Sequence, residues 1–140
     1  MTLKCGLSAS ITAVVTREMT ARSLGSGDVE GLATPALINL MEAAAVKALE
    51  SQLGPDMVSV GTLIDVAHAA PTPVGMTVVA HARLVDMQGR LLVFSVVAED
   101  DAGVIGKGTH HRTIVGSAGF AERVQSRWGG SASDTLPERQ

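Results

Sequence analysis

Between residues 34 and 50 the chain carries apolar side chains at helical spacing. Leu37, Leu40, Met41, Ala44, Ala45 and Ala48 fall on one face at about 100° per residue. Thr34 suits the N-cap ahead of them, Pro35 the first helical position, and Gly54-Pro55 the end of the element. On both sides of this helix the period drops to two. Ala9, Ile11, Ala13 and Val15 alternate within residues 8–19 and predict a strand. After the helix, Val58, Val60, Ile64 and Val66 alternate within 57–70 and are expected on one side of a strand; Val78, Ala80, Ala82 and Leu84 do the same within 76–86. Two more strands are predicted over 91–99 and 104–115, with "MQGR" and "DDAG" as the tight turns before them. Residues 21–31 hold three glycines and no period, which predicts a loop of a length that is often functional. A short amphipathic stretch, 119–128, precedes a tail, 129–140, expected to be disordered.

This order of strand, loop, long helix and four strands is α+β. A helix that is apolar over more than half its circumference needs a wide cover, and a curved antiparallel sheet of about five strands supplies one. At 140 residues the chain is read as a single domain, 1–128, plus the tail. Its 46 % hydrophobic and 18 % charged residues predict a packed core. A net charge of −3, with two Phe, one Trp and no Tyr, argues against a nucleic-acid partner, which would need basic and stacking surface. Cys5 is alone, so neither a disulfide framework nor a cysteine metal site is expected. No apolar run reaches membrane-spanning length, and a cytoplasmic protein without membrane attachment is expected.

One letter disagrees with the helix. Glu42 has Ile38 and Val46 four residues away and Asn39 and Ala45 three away, so no ion pair on the helix surface can form. A carboxylate among such neighbours is partly desolvated, which suits a general base or nucleophile better than a solvated surface acid. Thr34 has a complete structural explanation as an N-cap; alternatively its hydroxyl faces a site at the helix N-terminus, where partial positive charge favours an oxyanion. His68 continues the face of Ile64 and Val66 and is expected on the core side, as a hydrogen-bonded core residue or a catalytic one. Gly61 interrupts the same strand and marks a bulge or a close approach to the backbone. His81 is expected to face solvent. His110 and His111 project to opposite faces of their strand, a poor chelate, so no metal is expected.

The stretches "GLATPALINLMEAAAVKAL", "GTLIDVAHAAPTPVGMTV" and "GVIGKGTHHRTIV" resemble the fluoroacetyl-CoA thioesterase family of the hotdog-fold superfamily, in register from about residue 8 to 116. The resemblance implies a long helix wrapped by an antiparallel sheet, assembled as a homodimer, possibly a tetramer, with active sites near the interface. It implies hydrolysis of an acyl-CoA substrate with no separate cofactor, coenzyme A being part of the substrate. By position, the catalytic residues fall on Thr34, Glu42 and His68. The glycine whose N–H contacts substrate falls on Gly61, and a substrate-binding arginine falls on Arg112. The fluoroacetyl-selective enzyme carries aromatic lid residues ahead of its threonine; "SGDVEGLA" here has none, so thioester hydrolysis is implied without that selectivity. Two other readings compete. One is a non-catalytic acyl-CoA binding or sensor domain on the same fold. The other is a hotdog hydratase, whose Asp-and-His helix motif is missing here.

Overall fold

The computed structural model describes residues 3–129. Five strands, β1 (Ser8–Val14), β2 (Met57–His68), β3 (Thr77–Gln88), β4 (Leu91–Asp100) and β5 (Gly103–Gly116), form one sheet in the order β1-β3-β4-β5-β2. Every neighbouring pair is antiparallel. Three helices accompany it: α1 (Ala21–Leu24), α2 (Thr34–Leu49) and α3 (Ser117–Gly129). The alternation in β3 and β4 sorts cleanly. Val78, Ala80, Ala82 and Leu84, with Leu92, Phe94, Val96 and Ala98, are buried and meet the apolar stripe of α2 in a single core. Burying Leu37, Met41 and Leu49 from α2 contributes about 1.5–3 kcal/mol each.

Several boundaries differ from the sequence expectation. The first strand stops at Val14, a 3-10 turn, Arg17–Met19, takes the expected strand end, and α1 takes the first four residues of the stretch read as loop. Local chemistry explains α1: the Thr20 hydroxyl caps it by accepting from the Ser23 N–H at 3.2 Å. Helix α2 ends at Leu49, before Gly54-Pro55, and reaches that pair through a turn. The β2 face is also corrected. A bulge between Gly61 and Leu63 shifts the register, so Val58 and Val60 face away from the core while Ile64, Val66 and His68 face towards it. A strict period of two cannot continue through an inserted residue. The expected disordered tail lies outside the described residues beyond Gly129.

The start of α2 is clamped from two directions. Leu32 N–H donates to the Thr72 carbonyl at 2.8 Å and Ala33 N–H to the Met19 carbonyl at 2.8 Å. Thr72 is fully buried, and its hydroxyl donates to Asp100 at 2.8 Å. That bond holds the Asp100 carboxyl below its ordinary value of 3.8. His81 does face outward, on the far side of the sheet, but it is not idle. Its ring bridges Ser10 at 2.6 Å and Glu99 at 3.0 Å. Among the described residues no helix is long and apolar enough to cross a membrane, and no group of three or more His, Cys, Asp or Glu is placed to hold a metal ion.

Candidate active site

The five residues singled out from the sequence gather into two places. The first is at the N-terminus of α2. Thr34 is not the N-cap: Ala33 takes that position, with no side-chain cap, and Thr34 is the first helical residue. Its hydroxyl shares a 2.8 Å hydrogen bond with Nδ1 of His68, at the end of β2. The other ring nitrogen, Nε2, is buried and has no partner among the described residues. An open cavity of about 270 Å³, lined by Val29, Gly31, Leu32, His68 and Pro71, borders the pair. Part of its wall is the segment leading into α2, so Val29 and Gly31 of the loop expected from the sequence shape the site.

The second place surrounds Glu42, in the middle of α2. The sequence shows no basic neighbour on the helix, and the sheet provides one. Arg112 of β5 is buried, with Nη1 3.7 Å from the Glu42 carboxylate. His110, two residues earlier on the same inward face, places Nε2 at the same 3.7 Å. Both distances exceed hydrogen-bond range, so Glu42 feels the positive charge without being clasped by it. Two further bonds fix the guanidinium: Nε donates to the Ser59 hydroxyl at 2.8 Å and Nη2 to the Ser59 carbonyl at 3.0 Å. Burial pulls the Arg112 pKa below its ordinary value, with the Glu42 carboxylate opposing the shift, and the group stays charged near neutrality.

Gly61 makes this arrangement sterically possible. A Cβ there would lie 2.6 Å from Glu42 Oε2, 3.2 Å from the His110 ring and 3.3 Å from Arg112 Nη1. The bare Cα therefore leaves room for three polar groups to converge. Both sequence readings of Gly61 describe it, since it begins the bulge and admits a close approach. Glu42, whose side chain is 39 % exposed, looks into an open cavity of about 660 Å³ lined also by Ile11, Asn39, Ala43, Val46 and Arg112. The alanine run divides its labour: Ala44 and Ala45 pack in the core, whereas Ala43 lines the cavity.

Sequence reasoning passed over His110 and Ser59. Adjacent histidines on a strand suggest only a poor chelate, and nothing along the chain reveals that His110 and Arg112 share an inward face with Glu42. Their i, i+2 spacing on a strand was the available signal.

A curved five-stranded antiparallel sheet around one long helix, with polar groups along that helix, is the architecture of a hotdog-fold thioesterase. Solved structures agree. A fluoroacetyl-CoA thioesterase structure aligns with a TM-score of 0.85 at 34 % identity, covering 90 % of this chain and 98 % of that one. A hot-dog-like protein from Thermanaerovibrio acidaminovorans aligns with a TM-score of 0.82 at 28 % identity, covering 91 % and 94 %. In sequence, the fluoroacetyl-CoA thioesterase of Streptantibioticus cattleyicolor is 40 % identical over 98 residues, 70 % of each chain. The profile of the fluoroacetyl-CoA-specific thioesterase family matches residues 15–118. The chain belongs to that family.

Proposed function

We propose that this protein is an acyl-CoA thioesterase acting on small acyl groups, with Glu42 as the reacting carboxylate, Thr34 and His68 as its partners, and Gly61 and Arg112 as substrate contacts. Family membership makes it a thioester hydrolase, and one observation carries the assignment of roles: a carboxylate beside a buried arginine that leaves it unbonded, facing an open cavity. A thioester suits such a group. Its carbonyl is more electrophilic than an ester's, and its leaving thiol has a pKa of about 8.5, so little acid assistance is needed. Glu42 attacks the acyl carbon, directly or through a water that it deprotonates. The carbonyl oxygen becomes an oxyanion, stabilised by the Gly61 N–H and the positive end of a helix N-terminus. The C–S bond then breaks, and His68, oriented by Thr34, delivers a proton to the departing sulfur. Where Glu42 attacked directly, the acyl group remains on it as an anhydride, which a water activated by His68 hydrolyses to the free acid and the regenerated carboxylate. Coenzyme A arrives as part of the substrate, so no further cofactor enters the scheme. Ala43 and Val46, beside Glu42, leave space for a small acyl chain.

Thr34 and Glu42 lie a little over two helical turns apart, roughly 12 Å along the axis. One acyl carbon cannot touch both ends of that span within one chain, and a second copy is proposed to shorten the separation between them. Strand β2 is an edge strand of 12 residues that exposes Val58, Leu63 and Ile64. A long apolar edge of this kind needs a partner. Antiparallel pairing of two β2 edges about their centre sets His68 of one protomer ~13 Å along the strand from the partner subunit's Gly61, against ~23 Å within a chain. The working unit is therefore a homodimer with each site built from both protomers. Free, exposed Cys5 suits a reducing compartment, and the cytoplasm is the proposed location.

The test is thiol release from short acyl-CoAs. Glu42→Gln is expected to lower kcat by about 10³-fold or more while the fold and CoA binding persist; wild-type turnover in that variant would remove Glu42 from the mechanism. Mixing Glu42→Gln with His68→Ala protomers tests the shared site. Composite sites regain about a quarter of wild-type activity, whereas sites within one chain regain none.

A further inference from the structure

His110 is buried, with 1 % exposure, and both its ring nitrogens are engaged. Nδ1 lies 2.8 Å from the Leu63 carbonyl, which can only accept, so Nδ1 carries the proton. Nε2 lies 3.1 Å from Arg112 Nη1, which can only donate, so Nε2 presents a lone pair. The two neighbours fix one neutral tautomer between them. A protonated ring would set a second buried cation against the guanidinium, with only Glu42 to offset it. The bulge after Gly61 matters here too, because the carbonyl that holds Nδ1 belongs to Leu63, the residue at which pairing resumes. Three of the five Arg112 N–H groups are thus engaged: one each from Nε and Nη2 to Ser59, and one from Nη1 to His110 on the side nearest Glu42.

We infer that His110 is a positioning residue for hydrolysis: its Nε2 lone pair holds Nη1 of Arg112 back from Glu42, keeping the carboxylate near a positive charge yet free to react. The inference rests on the role given to Glu42 above. Without the acceptor at Nε2, the Glu42 carboxylate, 3.7 Å away, is a strong acceptor towards which Nη1 can move. A closed Arg–carboxylate bond would withdraw the lone pairs that the reaction uses.

Two substitutions separate the two hydrogen bonds. In His110→Gln the side-chain oxygen reaches the place of Nε2 and still accepts from Arg112. His110→Asn retains a donor for the Leu63 carbonyl but is too short to offer that acceptor. With acetyl-CoA as the probe, kcat is expected to fall about 10- to 100-fold in His110→Asn with KM changed less than about threefold, and to stay within about fivefold of wild type in His110→Gln. Thermal melts establish that each variant is folded. Equal kcat values for the two variants would overturn the inference, as would a loss confined to KM. Nitrogen NMR of the wild-type imidazoles checks it without any substitution. A neutral Nδ1–H ring is expected for His110 near neutral pH, and an Nε2–H ring or an imidazolium would overturn it. Glu42→Gln distinguishes the two levels of argument. If that variant is inactive while both His110 variants keep full kcat, only the positioning role fails; if it is active, the assignment of Glu42 fails first.

Discussion

The two ends of the site are built by opposite means. At the helix N-terminus, Thr34 and His68 are joined by a 2.8 Å hydrogen bond, and the second ring nitrogen has no partner among the described residues. In the helix middle, Glu42 faces two nitrogens at 3.7 Å and is bonded to neither. The first arrangement fixes orientation, since a short hydrogen bond to Nδ1 sets the ring. The second preserves reactivity, since a carboxylate held by charge at a distance keeps its lone pairs. The contrast teaches that closeness alone does not measure a catalytic contact: the His68 ring gains a fixed orientation from a short bond, whereas the Glu42 carboxylate keeps its lone pairs free beside a charge at 3.7 Å.

Substitutions can break either end separately. The largest effect after Glu42→Gln is expected from Gly61→Ala. Its Cβ would meet Glu42 Oε2 at 2.6 Å and displace the carboxylate, lowering kcat by about 10²-fold or more. A fully active Gly61→Ala enzyme would show that the carboxylate needs no fixed position. His68→Ala acts at the other end, and kcat is expected to fall about 10- to 100-fold, with the pH dependence of turnover altered. An unaltered pH profile would assign the proton transfer elsewhere.

Thr34→Val sharpens the comparison further. A threonine N-cap would cost about 1 kcal/mol of stability on removal. Because Thr34 caps nothing in this fold, its melting temperature is expected to stay near wild type while kcat falls about tenfold. A destabilised but fully active variant would restore the capping role.

The smallest expected effect concerns stability and pH. Burial, the largest influence, holds the His110 pKa below the ordinary 6.5, with nearby Arg112 acting in the same direction. Between those two values the unfolded chain binds a proton that the folded chain does not. Stability is therefore full above 6.5 and falls as the pH drops towards the folded value. Thermal melts between about pH 7.5 and pH 5 should show this decline, and His110→Gln should flatten it. An equal slope in the two proteins would place the proton uptake on another group.

The pattern of apolar residues alone determined the helix face, the buried alternation of β3 and the turns around it, because burial repeats with the local period of the backbone. Glu42 stood out for the same reason, as a polar interruption of a strong period. Three facts were decided only by the tertiary structure. Thr34 reads as a cap until His68, 34 residues later, claims its hydroxyl. The partner of Glu42 is Arg112, 70 residues away on another element. His110 acquires a role only once a bulge turns the Leu63 carbonyl towards its ring. Helical and strand periods record which face a residue occupies; they carry no information about which distant face it meets. Only the folding of the sheet around the helix settles that.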